Sequence, residues 1–233
     1  ILHHNCIPVF VDIDFKTMNI DLDKIEQAIT PRTKAIVVVH LHGLAVDMNK
    51  VLKIARKHRL AVIEDACQAH GARFGNHKVG TQGDCAAFSF NQNKCLCAGE
   101  GGMFVTNHEE RFKRAQQLWS FGETRSPEES RDYHAYALGW MYRSNDLSAA
   151  FGRAQLQRLD RHIDVQRANA AHLRERLQGI DSLIQPQEPR GHFHNWYNYT
   201  VRIDAERAGW KGPVAPLRNA VEKALRAEGA PVG

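Results

Sequence analysis

Residues 60–72 read Leu-Ala-Val-Ile-Glu-Asp-Ala-Cys-Gln-Ala-His-Gly-Ala, and the fold class follows from this stretch and its neighbours. Its opening five residues form a short β-rich run, and Asp65 stands directly at the end of that run. Upstream, residues 33–40 (TKAIVVVH) are almost continuously β-branched, the pattern of a strand covered on both faces. Between the two runs Asp47 precedes Val51, Ile54 and Ala55 at helical spacing, and Lys57 and His58 mark the far end, so a capped helix is expected there. Strand, helix and strand joined by short links predict a βαβ unit, hence an α/β protein with a mainly parallel sheet. In such sheets ligands bind beyond the carboxyl ends of the strands, which is where Asp65 falls.

Working outward, residues 7–12 read as a further strand, residues 21–26 as the opening of an acid-capped helix, and residues 85–90 and 103–106 as two more strands. Seven of the 17 glycines lie between Gly71 and Gly102, a density that points to tight turns and close backbone approach to a ligand. Residues 145–177 carry Leu156, Leu159, Ile163, Ala170, Leu173 and Leu177 at spacings of three, four or seven and predict one long helix. Residues 185–190, with two prolines, then break the pattern; residues 196–203 read as a strand and 216–228 as a helix. The expected organisation is a large domain over 1–144, then a linking helix and part of a smaller α+β domain over 145–233. The chain opens on Ile1 already inside a domain-like pattern, and a fragment is expected.

Bulk properties narrow the class. The 233 residues are 43% hydrophobic and 24% charged, as in ordinary soluble domains, without an apolar run that predicts a membrane span. The net charge of +5 is spread among acids, notably Asp146, Asp160, Asp164 and Glu175 beside the arginines of 143–176, so a solvated helix face is expected rather than a nucleic-acid stripe. Five cysteines without framework spacing read as free thiols of a reducing cytoplasm, and the lone Cys95-x-Cys97 is not a zinc pattern. The His40/His42 pair would share one face of a strand, but no third metal ligand accompanies it.

The chemistry-bearing residues gather at one sheet edge. Asp65 follows one strand; Ser89 stands at the tip of the next, and Lys94 and Glu100 come after it. An acid and an amine converging there suit pyridoxal phosphate, whose aldehyde carbon bonds to a lysine and whose protonated ring nitrogen pairs with a carboxylate.

Longer matches sharpen this. Residues 63–72 (IEDACQAHGA), then Gly80-Thr81-Gln82-Gly83-Asp84, Phe88-Ser89-Phe90-Asn91-Gln92-Asn93-Lys94 and Gly99-Glu100-Gly101-Gly102 resemble the signature segments of the DegT/DnrJ/EryC1/StrS family of sugar aminotransferases. Pro8 to Asp14, Arg32 to Ile36 and the His-x-x-Gly at His40–Gly43 agree with it. The resemblance implies the large domain of an aspartate-aminotransferase-like fold and transfer of an amino group from glutamate or glutamine to a keto sugar, often nucleotide-linked, or to a cyclitol ketone. It implies roles for five residues: Lys94 holds the cofactor and moves the proton, Asp65 pairs with the ring nitrogen, Gln68 touches the ring 3-oxygen, Ser89 binds the phosphate and Ala66 packs beneath the ring. A homodimer acting on small molecules in the cytoplasm is implied, with no nucleic-acid, membrane or metal partner. Dehydratases of the family often carry histidine in place of the lysine, so Lys94 favours transamination over that alternative. The other alternative, an inactive binding or sensory domain, would not need Asp65, Gln68, Ser89 and Lys94 together.

Departures from the pattern accompany the matches. Met141 stands in Gly139-Trp140-Met141-Tyr142-Arg143, where the family usually has an asparagine that reaches a neighbouring subunit's phosphate, and a thioether cannot donate that hydrogen bond. The residues flanking Lys94 also differ from the commoner form, pointing to an acceptor other than the usual nucleotide-linked hexose. The Gly-Thr phosphate loop and ring-stacking aromatic of the family's N-terminal part do not occur in these residues.

Overall fold

The computed structural model describes residues 1–124 and 134–232. The sequence-predicted βαβ unit is there. Strand β1 (Ala35–Val39), helix α1 (Met48–His58) and strand β2 (Ala61–Asp65) follow one another, and β1 and β2 pair in parallel. The Asp47 side chain accepts from the Asn49 and Lys50 N–H groups at the start of α1 (3.1 and 3.3 Å), and Arg59 closes the helix in a left-handed conformation (φ 54°). Val51 and Ala55, one turn apart, face Ile36, Val38 and Val62 on the sheet. Val38 and Val51 are fully buried, each contributing about 1.5–3 kcal/mol against exposure.

The chain then forms a hairpin, β3 (Arg73–Phe74) with β4 (His77–Lys78), before returning to the sheet as β5 (Cys85–Ser89) and β6 (Gly102–Val105). The sheet order is β1-β2-β5-β6; β5 is parallel to β2, and β6 is antiparallel to β5. Helix α2 (Glu109–Trp119) follows.

Several expectations change. Residues 7–12 form no strand; only an isolated bridge between Ile13 and Ile20 appears, and Phe10 is 90% exposed. Residues 21–26 give turns and a short 3₁₀ segment (Glu26–Ala28) rather than an α-helix. Strand β1 is covered on one face only, since Val37 and Val39 remain partly exposed. The long helix splits into α3 (Asp146–Leu156) and α4 (Leu159–Arg176). Neither Gly nor Pro marks that junction, so apolar spacing ran on across it. Packing shows the break: Leu159 and Ile163 bury against Leu96, while Leu156 stays exposed.

Two units are distinguished: Ile1–Arg167 with Glu188–Asn198, and Ala168–Gln187 with Tyr199–Gly233. In the first, strand β8 (His192–Phe193) joins the β3–β4 hairpin. In the second, β7 (Leu183–Ile184) pairs with β9 (Arg202–Ile203), and helix α5 (Val214–Ala227) follows. The strand expected over 196–203 is confined to β9, because Trp196 adopts a left-handed conformation (φ 56°) that no strand allows. No described helix is long and apolar enough to cross a membrane.

Candidate functional site

Register fixes which side of the sheet carries the polar groups. Asp65, the last residue of β2, pairs with Ala87 of β5, and Ser89 lies two residues further along β5. Side chains two apart leave a strand on the same side, so Asp65 and Ser89 share a face. That face also bears Val37, Val39 and Phe104, which pair into the same rows and are at least 37% exposed. The opposite face bears Val38, Val62 and Glu64, all buried against the α1 side. Asp65 and Ser89 therefore stand on the open side of the sheet.

The Asp65 carboxylate accepts the Cys67 N–H (3.0 Å), a local turn that fixes its direction. Ser89 Oγ accepts the Asn91 N–H (3.3 Å), and Asn91 binds the Glu100 carboxylate (2.7 Å). The Lys94 N–H donates to the Asn91 carbonyl (2.9 Å), so Ser89, Asn91, Glu100 and Lys94 belong to one hydrogen-bonded loop after β5. The Lys94 Nζ lies 4.9 Å from the centre of the Tyr197 ring.

Two perturbed groups tie Lys94 to the turn after Asp65. Burial pushes the Cys67 thiol up to about 12, reinforced by the Asp65 hydrogen bond and charge and opposed by the Lys94 charge. Burial pushes the His70 imidazole down to about 4, with the Lys94 charge acting in the same direction. His70 is 2% exposed beside Phe88 and Phe90, and its ring nitrogens lie near the Ser89 main chain without closing a hydrogen bond of ordinary length. Both charges thus act on Cys67, and the Lys94 charge also reaches His70.

Gln68 is held at both ends. Its Oε1 accepts the His42 N–H (2.8 Å), which leaves Nε2, a donor, free to face a ligand. Its carbonyl accepts from Asn195 Nδ2 (3.0 Å). Ala66 is fully buried with Ala45, Ala69, Ala72 and Val79, and its methyl group packs into that cluster. Met141 bridges to Ser120 and is 61% exposed.

The His40/His42 reading is corrected. Strand β1 ends before His40, and His42 sits in a 3₁₀ turn with φ 58°, so the two do not share a strand face. His40 is fully buried: Nδ1 accepts the Val46 N–H (3.0 Å), which places the proton on Nε2, and Nε2 donates to Glu64 (3.0 Å). Glu64 also accepts from the Gly80, Gln82 and Gly83 N–H groups. Burial favours its neutral form, but the His40 bond and the Gly83 and Gly80 amides outweigh it and hold the carboxyl below the usual range.

Tyr197 and Asn195 were not anticipated. Tyr197 falls in the stretch read as a strand and Asn195 in the unassigned residues just before it, and no local spacing connects them to Lys94. The one signal was the crowding of aromatic and amide side chains in 192–199 (HFHNWYNY), unusual for an exposed strand.

A profile of the DegT/DnrJ/EryC1/StrS aminotransferase family matches residues 1–226. The GDP-perosamine synthase of Caulobacter vibrioides is 40% identical over 197 residues, covering 84% of this chain and 52% of that protein. A putative L-glutamine:3-amino-2,3-dideoxy-scyllo-inosose aminotransferase of Streptoalloteichus tenebrarius is 38% identical over 231 residues, covering 98% of this chain and 54% of that protein. The crystal structure of the aminotransferase TlmJ from Streptoalloteichus hindustanus superposes with a TM-score of 0.85 at 32% identity, covering 95% of this chain and 57% of that one. The chain spans about half the length of the curated relatives it matches.

Proposed function

The chain belongs to the DegT/DnrJ/EryC1/StrS aminotransferase family, and from that premise we propose that the protein carrying it is a pyridoxal-phosphate-dependent aminotransferase acting on a keto sugar or cyclitol ketone. The observation that carries the reading is the shared open sheet face of Asp65 and Ser89, with Lys94 in the hydrogen-bonded loop that follows Ser89. That donor set fits the cofactor: an amine to hold it, a carboxylate for the ring nitrogen and a hydroxyl for the phosphate.

When bound, pyridoxal phosphate supplies the electron sink that stabilises negative charge at the substrate carbon. Lys94 Nζ would hold the cofactor and would be the amine that moves the proton to and from the reacting carbon. Asp65 keeps the ring nitrogen protonated, its carboxylate aimed by the Cys67 N–H. Gln68 presents Nε2 to the ring 3-oxygen because the His42 N–H occupies its oxygen. Ser89 contributes a hydroxyl to the phosphate. Glutamate or glutamine is the donor, and the active form is a cytoplasmic homodimer.

Borohydride reduction of the native protein, followed by peptide mapping, tests this. A reduced pyridoxyl group on Lys94, lost in Lys94→Ala, is the expected result; an adduct on another lysine, or none at all, refutes the assignment.

A further inference from the structure

We infer that Asn195 is a positioning residue for this site, holding Gln68 and Tyr197 in place around Lys94 from 127 positions along the chain from Gln68. Its side chain is fully buried. Nδ2 donates to the carbonyls of Gln68 and His70, both at 3.0 Å, and Oδ1 accepts the Tyr197 N–H at 2.9 Å. Its own N–H donates to the Gly43 carbonyl at 3.2 Å. These partners fix the amide: two carbonyls require its nitrogen and one N–H requires its oxygen. Neither of the near-isosteres can replace it, since aspartate has no donors and leucine has neither group.

Gly43 completes the fit. A Cβ there would lie 1.7 Å from Asn195 Oδ1, and the residue has φ 95°, so only glycine leaves room for the carboxamide. Each segment that Asn195 joins, through its main chain or its carboxamide, also touches the site. Gly43 follows His42, whose N–H holds the Gln68 oxygen. The 68–70 turn carries Gln68 itself. Tyr197 faces Lys94 Nζ. Between Asn195 and Tyr197, Trp196 is held in its left-handed conformation by its N–H bond to His194 Nδ1 (2.9 Å) and by stacking on that ring (4.0 Å between centres). A bulky residue held in such a conformation needs surroundings that over-determine it. Without the carboxamide, two buried carbonyls and one N–H lose their partners, and Gln68 and Tyr197 are free to shift.

The inference rests on the reading that Lys94 carries pyridoxal phosphate, and its test has a readout that fold stability alone does not move. Asn195→Ala, Gly43→Ala and the control Phe193→Leu are prepared in the native protein. The control loses contacts in the same segment, where Phe193 packs between Arg73 and Arg167 and against the Leu96 cluster, and it deletes none of the hydrogen bonds that Asn195 makes to the Gln68 carbonyl and the Tyr197 N–H. The pH midpoint of the bound cofactor's visible absorbance is measured alongside kcat, KM and melting temperature. In Asn195→Ala the midpoint should move by at least ~0.5 unit, about a threefold change in proton affinity. Its kcat should fall about 10–100-fold, the scale of small misplacements of reacting groups, with KM little changed. The control should lower the melting temperature and leave the midpoint in place. An Asn195→Ala protein that melts early but keeps the wild-type midpoint and kcat overturns the inference. If that variant does not fold, Gly43→Ala decides in the same terms, because its methyl group displaces the carboxamide without deleting it. Wild-type protein with no cofactor on Lys94 overturns both this inference and the functional reading, before any variant is compared.

Discussion

Replacing Glu64 by glutamine removes one charge and changes almost no volume, yet the structure predicts a large loss of stability. The two carboxylate oxygens divide four donors between them: Oε1 takes the Gln82 and Gly83 N–H groups, and Oε2 takes the Gly80 N–H (2.7 Å) and His40 Nε2 (3.0 Å). An amide has one oxygen, so whichever way it turns, its NH₂ group faces two of these donors. His40 cannot adapt by moving its proton to Nδ1, because Nδ1 already accepts the Val46 N–H. Two donors are therefore left unsatisfied in a site with no solvent access. At ~1–3 kcal/mol for each, the cost is ~2–6 kcal/mol. A midpoint estimate of ~4 kcal/mol corresponds to ~8–16 °C in melting temperature for a domain of this size. The loss is a large share of the ~5–15 kcal/mol that folded domains possess. Thermal unfolding of Glu64→Gln followed by circular dichroism, beside Glu26→Gln as an exposed control, measures it. Glu26 pairs with Lys57 and His58 at the surface, and its variant should melt close to the wild type. If Glu64→Gln melts within ~2 °C of the wild type, the buried network does not hold the loops as described.

Asp65→Asn should leave the fold intact and the cofactor at least partly bound while lowering kcat by about 100-fold or more, as expected when one preorganised electrostatic partner is lost; near-normal turnover would show that Asp65 is not the ring partner. Stability should also fall with acidification well above the carboxylate range. Burial holds His70 neutral down to about 4 and His194 neutral down to about 3, with the Glu188 charge opposing and the Arg167 charge assisting at His194. Both imidazoles titrate near ~6.5 once unfolded, so below that pH the unfolded chain binds more protons and stability drops as pH falls towards 4. Between pH 7.5 and 5.0 each contributes a loss of ~2 kcal/mol, together ~4 kcal/mol. Urea midpoints at the two pH values measure this, and equal midpoints would mean that the two rings are not held neutral.

The sequence by itself determined the βαβ unit, because the β-branched runs, the Asp47 cap and the basic helix end are local signals that packing did not overrule. It also placed Asp65 and Ser89 at strand ends, since position along a strand can be read directly from the hydrophobic run. It did not determine that residues 7–12 and 196–201 stay out of the sheets, because β-propensity describes a pleated surface and only the partners decide whether one is offered. The break between α3 and α4 was likewise invisible until Leu159 and Ile163 could be seen turned onto Leu96. Glu64 shows the limit most sharply. In the linear chain it is one acid beside another, and its separation from Asp65 onto the buried face of β2 appears only when the strand pleats against its neighbours. The Asn195 contacts with Gln68, His70 and Gly43 belong wholly to tertiary structure. They join segments more than 120 residues apart in sequence, and no periodicity or local propensity reports a hydrogen bond across that distance.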